Sequence, residues 1–429
     1  MSNTNDDQKR INAIRFLAVD GVQKANSGHP GLPLGAAAMA YTLFSRHLKF
    51  NAADSHWADR DRFVLSAGHG SMLIYALLYL TGYKLSLDDL KNFRQLGSKT
   101  PGHPEMHHTD GIEVTTGPLG QGVGNAVGLA IAEAQMAGTY NREQTIVDHY
   151  TYCLAGDGDL MEGVSSEASS LAGHLALGKL IVLYDDNKIS LAAPTDVTFT
   201  EDVCARYAAY GWHTQLVTAD DGNDVAAIDA AINAAKADGR PSLIAVRTII
   251  GFASPKAGTF GAHGEPLGVE NVKKTKERLG WPTEPAFYVP DDVLAWWRDV
   301  GKRGAETQAT WNATYGAWKT ANPDLGAQLE RILAGKLPAS IAWPTFDTEN
   351  GSVATREAGG TVMNAIAKDV PELVGGSADL DPSTKTYLKG FGDFKPGNPS
   401  GRNIHFGVRE HAMGAIANGI AAHGGFIPF

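Results

Sequence analysis

Cysteine is scarce in this sequence: 429 residues hold only Cys153 and Cys204. The two lie far apart, outside any Cys-x-x-Cys spacing and behind no secretory leader, so they read as reduced core residues and not as a disulfide framework. Long apolar runs are missing too, and the start MSNTNDDQKR is polar. No membrane partner is expected, and the reading is a cytoplasmic protein. Basic stripes are also lacking. The net charge is −10 and the Lys and Arg are scattered, which argues against nucleic acid as a partner. The acidic excess is accounted for by solubility. What remains is a glycine-rich globular composition, long enough for two domains and a sizeable core.

The stretch from Cys153 to Ile189 organises the rest. A buried strand over Thr151 to Ala155 ends in Gly156-Asp157-Gly158. A helix follows through Ala168, Leu171, Ala172 and Leu175, and a second apolar strand, Leu180 to Tyr184, delivers Asp185-Asp186-Asn187. A right-handed strand-helix-strand unit sets both strand ends on one sheet edge, so Asp157 and Asn187 are expected side by side. One carboxylate, one amide oxygen and a backbone carbonyl near Ile189 suit a hard divalent cation such as Mg2+. Gly156 and Gly158 would let the backbone approach a diphosphate. A bare Gly-Asp-Gly is more often only a tight turn; the Asn after the next strand is what favours the metal reading.

A second phosphate-cradle candidate is Thr115-Thr116-Gly117-Pro118-Leu119-Gly120-Gln121-Gly122, which runs into a helix over Val123 to Ala137. It lacks the Gly-Lys-Ser/Thr of a P-loop and the dinucleotide spacing. Upstream, helices over Ile11 to Lys24 and from Pro33 to Phe44 clamp a loop bearing His29, and a strand over Arg62 to Ser66 leads into Gly68-His69-Gly70 and an apolar helix over Met72 to Leu80. The aperiodic stretch 97–116 holds Pro101-Gly102-His103-Pro104. Downstream come a helix around Ala205 to Tyr210, a strand at His213 to Val217, a helix from Val225 to Ala237, and a strand at Ser242 to Thr248. A small-residue loop with His263 follows. This alternation predicts an α/β fold with a mostly parallel sheet flanked by helices. Val272 to Pro344 reads as a helical connector, with Trp296, Trp297, Trp311, Leu329 and Ile332 as packing positions. An incomplete second α/β domain is expected after it: a helix over Thr361 to Lys368, strands at Leu373 to Gly375 and Asn403 to Gly407, a helix from Glu410 to Ala422, and a strand beginning at Phe426.

His29, His69, His103 and His263 each sit beside glycine, at or near a turn into the same sheet edge. Singly, each is a surface or capping histidine; together they suggest a pocket that donates hydrogen bonds to hydroxyls and phosphates and moves protons. Glu410 either compensates a helix dipole or acts as a buried acid toward a heterocyclic nitrogen. Arg356 either pairs with a phosphate or forms a structural ion pair.

The stretches NSGHPGLPLG, RFVLSAGHG, QLGSKTPGHPE, VTTGPLGQGVGNAVG, GDGDLMEGVSSEASSLAGHL, LYDDNKIS, HGEPLG, ATREA, LVGGSADLDPS and SGRNIHFGVREHAMGAIANGI resemble, in order, those of the transketolases, thiamine diphosphate enzymes. The resemblance implies the thiamine diphosphate-binding fold, with a diphosphate-binding domain over 1–315, a linker over 316–350 and the first part of a pyrimidine-binding domain over 351–429. It implies reversible transfer of a two-carbon ketol group from a ketose phosphate such as xylulose 5-phosphate to an aldose phosphate such as ribose 5-phosphate, in the pentose phosphate pathway. Asp157, Asn187 and the Ile189 carbonyl would hold Mg2+, or Ca2+ or Mn2+, against the cofactor diphosphate. Gly117, Pro118, Leu119, Gly158 and Glu162 would line the site, with His69 and His263 near the diphosphate and Glu410 on the aminopyrimidine. His29, His103 and His263 would handle substrate hydroxyl protons, Asp379 would bind hydroxyls, and Arg356 and Ser383 would face the sugar phosphate. The family pattern also implies a homodimer with Glu410 acting across the interface. Two departures stand out: Leu191-Ala192-Ala193 replaces the family's usual Ile-Asp-Gly, and the remainder of the family's length would fall beyond Phe429, so a complementary C-terminal fragment is an expected partner. The alternatives are a related two-carbon transferase, dihydroxyacetone synthase, or a fragment that only binds cofactor; deoxyxylulose-phosphate synthase fits the order of Arg356 and Glu410 less well.

Overall fold

Four largely apolar segments and a more polar edge segment form one sheet: β1 (Arg62–Leu65), β2 (Thr151–Gly156), β3 (Leu180–Asp186), β5 (Ser242–Arg247) and, at the edge, β4 (His213–Val217). Their spatial order is β1-β2-β3-β5-β4, and every pairing is parallel. The computed structural model describes residues 5–347 and 351–429. β1 and β3 are buried along their whole length, as strands covered on both faces must be, while the edge strand β4 is largely half-buried.

Successive strand residues enter opposite cores, following the two-residue period of the pleat. Tyr152 and Leu154 pack with Ile181, Leu183, Ile244 and Val246 in one core; Cys153 and Ala155 pack with Val182, Tyr184, Leu243 and Ala245 in the other. The first core is covered by α1 (Asn5–Ala25), α2 (Gly31–Thr42), α3 (Met72–Thr81) and α9 (Val225–Ala237), with the short α4 (Leu87–Lys91) beside them. The second is covered by α5 (Gln121–Tyr140), α7 (Gly163–His174) and α8 (Val203–Ala209). The helix expected after β2 is split into α6 (Asp157–Met161) and α7 by extended backbone at Glu162, φ −64° and ψ 136°. Helix α2 starts at Gly31, two residues before the expected Pro33. The proline still lies in the first turn, where its missing N–H has no intrahelical partner to lose.

The connector consists of α10 (Val269–Arg278), α11 (Asp291–Ala321) and α12 (Pro323–Leu333). Trp297 and Trp318 of α11 are fully buried, and Leu329 and Ile332 of α12 pack with Met136, Tyr140 and Ile146. Much of the segment 316–347 is therefore seated on the first unit; the last three positions of the expected linker, 348–350, lie outside the described residues.

The second unit holds α13 (Thr355–Ile366), β6 (Leu373–Val374), α14 (Asp381–Thr384), α15 (Glu410–His423) and β7 (Ile427–Pro428), with β6 and β7 parallel. The strand expected over Asn403 to Gly407 does not form. Asn403 makes only isolated bridges, to Gly375 and Asp393. Its buried side-chain amide ties in the neighbouring loops, donating to the Leu388 and Gly392 carbonyls (both 2.9 Å) and accepting from Leu388 N–H (2.7 Å).

Helix α15 lies directly against α5. A Cβ on Gly128 would stand 2.1 Å from the Ile416 carbonyl oxygen, and one on Gly419 would stand 2.1 Å from the Asn125 carbonyl oxygen, so neither backbone tolerates a side chain there. At the far end of α15 the buried rings of His149 and His423 meet Nε2 to Nε2 at 2.9 Å. His149 Nδ1 faces Asp59 Oδ1 at 3.1 Å, and His423 Nδ1 faces the Gly424 carbonyl at 2.9 Å. Among the described residues, no helix is long and apolar enough to cross a membrane.

Candidate active site

Because all five strands run parallel, their carboxyl ends share one edge, where α/β sheets bind ligands. The turns after β1, β2, β3 and β5 carry His69, Asp157, Asn187 and, farther along, His263. Close approach between these turns depends on glycine: a Cβ on Gly68 would stand 2.6 Å from Thr116 Oγ1 and 3.0 Å from the Gly117 nitrogen. Gly120, the residue before α5, adopts φ +77°, a region costly for any residue with a Cβ.

Three of the four singled-out histidines form a cluster. Ring centroids lie 5.1 Å apart for His29 and His69, 5.1 Å for His69 and His263, and 5.9 Å for His29 and His263. His29 Nδ1 and His263 Nδ1 are buried and have no protein hydrogen-bond partner, although buried polar atoms are normally satisfied. His103 is nearby, its ring 3.4 Å from where a Gly117 Cβ would stand. Burial, reinforced by His263 and Arg94, lowers His29 to about 4. Burial also lowers His263 and His103, and lowers His69 well below the ordinary histidine range. Near neutral pH these rings are uncharged, so each offers one N–H and one lone pair to a ligand.

Asp157 and Asn187 come together as the parallel register dictates, with Gly156 opposite Asp185. Asp157 Oδ1 accepts from the Tyr184 hydroxyl (2.6 Å) and Oδ2 from Lys188 N–H (3.1 Å). Lys188, between Asn187 and Ile189, turns the chain at φ +61°. Asn187 donates from Nδ2 to Asp185 Oδ2 (3.0 Å), which fixes which way its amide points, and its Oδ1 accepts from Ile189 N–H (2.9 Å). Burial pushes the Asp157 carboxyl up to about 6 against the pull of the Tyr184 hydroxyl. Among the described residues no three His, Cys, Asp or Glu side chains are grouped so as to hold a metal ion; the candidate set here is one carboxylate, one amide oxygen and a backbone carbonyl. Those hard oxygens, with the glycine turns and the orphaned imidazole nitrogens beside them, fit a divalent cation carrying a diphosphate.

Leu119 and Glu162 belong to the same neighbourhood. A Cβ on Gly158 would stand 2.8 Å from Leu119 Cδ1, and one on Gly120 would stand 2.7 Å from Glu162 Cβ; Glu162 and Pro118 are exposed. The Leu191-Ala192-Ala193 departure forms a turn closed by an Ile189–Pro194 bridge, with Leu191 Cδ1 2.9 Å from a Cβ placed on Gly264, next to His263. Sequence reasoning passed over Arg94. Its guanidinium donates to Ser27 Oγ (2.8 Å) and its charge reaches both His29 and His103. No motif marks it, since Arg94 lies outside the glycine-flanked stretches.

The second unit's residues are not gathered. Glu410, Arg356, Asp379 and Ser383 are all exposed, and Asp379 sits at φ +64°. The start of α15 is anchored instead by its neighbours: Ala412 N–H donates to Glu167 Oε2 (2.9 Å), Arg409 donates to Ser170 Oγ (3.1 Å), and Gln121 meets His411 (2.8 Å).

Two family models match in succession: the transketolase thiamine diphosphate binding domain over residues 6–338 and the transketolase pyrimidine binding domain over residues 351–429. The transketolase of Halalkalibacterium halodurans is 55% identical over 427 residues, covering 99% of this chain and 64% of its own length. That of Geobacillus stearothermophilus is 55% identical over 425 residues, covering 98% and 63%. The chain thus spans somewhat less than two thirds of the curated relatives it matches. A crystal structure of the Pichia stipitis transketolase in complex with sedoheptulose 7-phosphate superposes with a TM-score of 0.96 at 52% identity, covering 98% of this chain and 64% of that one. The Leishmania mexicana transketolase superposes with a TM-score of 0.96 at 47% identity, covering 100% and 64%. With both models matched in order and the fold reproduced at such identity, the chain belongs to the transketolase family.

Proposed function

We propose that the chain carries the cofactor-binding half of a transketolase site, for transfer of a two-carbon ketol group between phosphosugars, within a cytoplasmic pentose phosphate pathway. In this reading residues 1–315 bind the diphosphate, 316–350 link, and 351–429 contribute to pyrimidine binding. Asp157, Asn187 and the Ile189 carbonyl hold Mg2+, or Ca2+ or Mn2+ in its place. Gly117, Pro118, Leu119, Gly158 and Glu162 line the diphosphate, with His69 and His263 donating to it. When bound, thiamine diphosphate supplies the carbon nucleophile that accepts and passes on the two-carbon unit. The protein's own part is to orient and to move protons. His29, His103 and His263, uncharged near neutral pH, present N–H groups and lone pairs to sugar hydroxyls. Glu410 holds the proton on the aminopyrimidine of the partner subunit's cofactor in a homodimer, Asp379 takes substrate hydroxyls, and Arg356 and Ser383 meet the sugar phosphate.

The observation that carries this reading is the convergence of His29, His69 and His263, two of them with orphaned buried nitrogens, on the edge holding Asp157 and Asn187. Titration calorimetry with thiamine diphosphate and Mg2+ tests it, followed by turnover of xylulose 5-phosphate with ribose 5-phosphate, alone and with a complementary C-terminal fragment. Absence of Mg2+-dependent cofactor binding by the native chain would refute the assignment.

A further inference from the structure

Asp159 has no place in the ligand set above, yet it is fully buried and accepts from three different turns. Its Oδ1 accepts from the Ser66 hydroxyl (2.7 Å) and from Gly120 N–H (2.9 Å), and its Oδ2 accepts from Gly156 N–H (2.9 Å). The Ser66 turn carries His69, the Gly120 turn carries Gly117 to Leu119, and the Gly156 turn carries Asp157. We infer that Asp159 is a positioning residue for the diphosphate cradle: one carboxylate fixes the mutual placement of the three turns that would surround the anion.

A simple capping role at the start of α6 would need only the Gly156 bond, three residues away. The other two donors lie 93 and 39 residues distant in sequence, and each belongs to a turn that bears candidate ligand-binding residues. The Asp159 backbone is itself tied to α7, because the Ser165 hydroxyl donates to its carbonyl (2.6 Å). No Lys or Arg pairs with Asp159 among the described residues, so these neutral donors are what hold it. An asparagine of the same shape offers a single oxygen. Facing Ser66 and Gly120 with that oxygen, it turns an NH2 toward Gly156 N–H and releases the turn next to Asp157.

This inference rests on the cofactor reading, and its test uses the diphosphate alone. Calorimetry with Mg2+ and inorganic pyrophosphate is run on the native chain, D159N and S66A, with thermal unfolding of each ligand-free protein in parallel. D159N is expected to stay folded and bind about 10- to 100-fold more weakly, the usual effect of losing a group that orients ligands. S66A, which loses one tie, is expected to bind about fivefold more weakly. Affinities of both variants within about twofold of native, whatever happens to their melting temperatures, would make Asp159 a packing group only and overturn the inference. Where D159N gives no folded protein, S66A decides by the same criterion. A native chain that binds no pyrophosphate removes the cofactor reading and this inference together, whereas native binding with unchanged variants removes the inference alone.

Discussion

The first unit collects its chemistry, and the second displays it. Asp157, Asn187 and the histidines are drawn to one rim because five parallel strands end there, and their side chains are held by hydrogen bonds or by each other. Glu410, Arg356, Asp379 and Ser383 stand exposed on helices and loops around a two-stranded pair. A long parallel sheet prescribes where its loops meet. A two-residue pairing prescribes little, so residues on the second unit need another surface to complete a site. The proposed homodimer would supply one.

The largest effect should come from the joint between the units. Gly128→Val puts side-chain atoms where the Ile416 carbonyl and Gly419 already lie, and it should destabilise the protein by about 3 kcal/mol in urea unfolding. A variant as stable as native would mean that α5 and α15 are not in close contact. The contrast itself is sharpened by a pair of variants. Asp157→Ala should weaken Mg2+-dependent pyrophosphate binding by about 100-fold, whereas Glu410→Ala should leave it intact and lower ketol transfer by about 100-fold or more, measured on a complemented enzyme. Equal loss of pyrophosphate binding in both would erase the division of labour.

Acid should act on the collected histidines. His29 titrates at 6.5 when unfolded and at about 4 when folded, so below 6.5 the unfolded chain binds the proton first. Its contribution to stability is full above 6.5 and is lost as the pH falls from there toward 4, and His69 acts in the same direction. Urea midpoints measured across that window should decline, and His29→Gln should flatten part of the decline; identical slopes would show that the cluster does not drive it. The smallest effect is expected at the exposed bond between Gln121 and His411, where Gln121→Ala should change stability by less than about 0.5 kcal/mol.

Much of this was legible in the residues themselves. Most of the strands and their flanking helices follow from apolar segments and helical periodicity, and the placement of Asp157 and Asn187 on one sheet edge follows once β2 and β3 run parallel. What escaped was set by contacts distant in sequence. Asp159 reads as one more acid in a turn, and only its bonds to Ser66 and Gly120 reveal its reach. Gly128 and Gly419 read as small helix residues until two backbones meet. Asn403 to Gly407 has strand-like composition, but its backbone pairs only in isolated bridges at Asn403, which no local pattern foretells. Arg94 matters through proximity to His29 and His103, which no local pattern encodes.

The contact between His149 and His423 can be read as a count of protons. Asp59 and the Gly424 carbonyl only accept, so each Nδ1 must carry a hydrogen, and joining the two Nε2 atoms requires a third. Two neutral rings possess two. Burial holds both far below the ordinary histidine range, so near neutrality this junction is one hydrogen short of its full set of bonds. Acid that completed the set would install a positive charge in the interior, between the first unit and the end of α15.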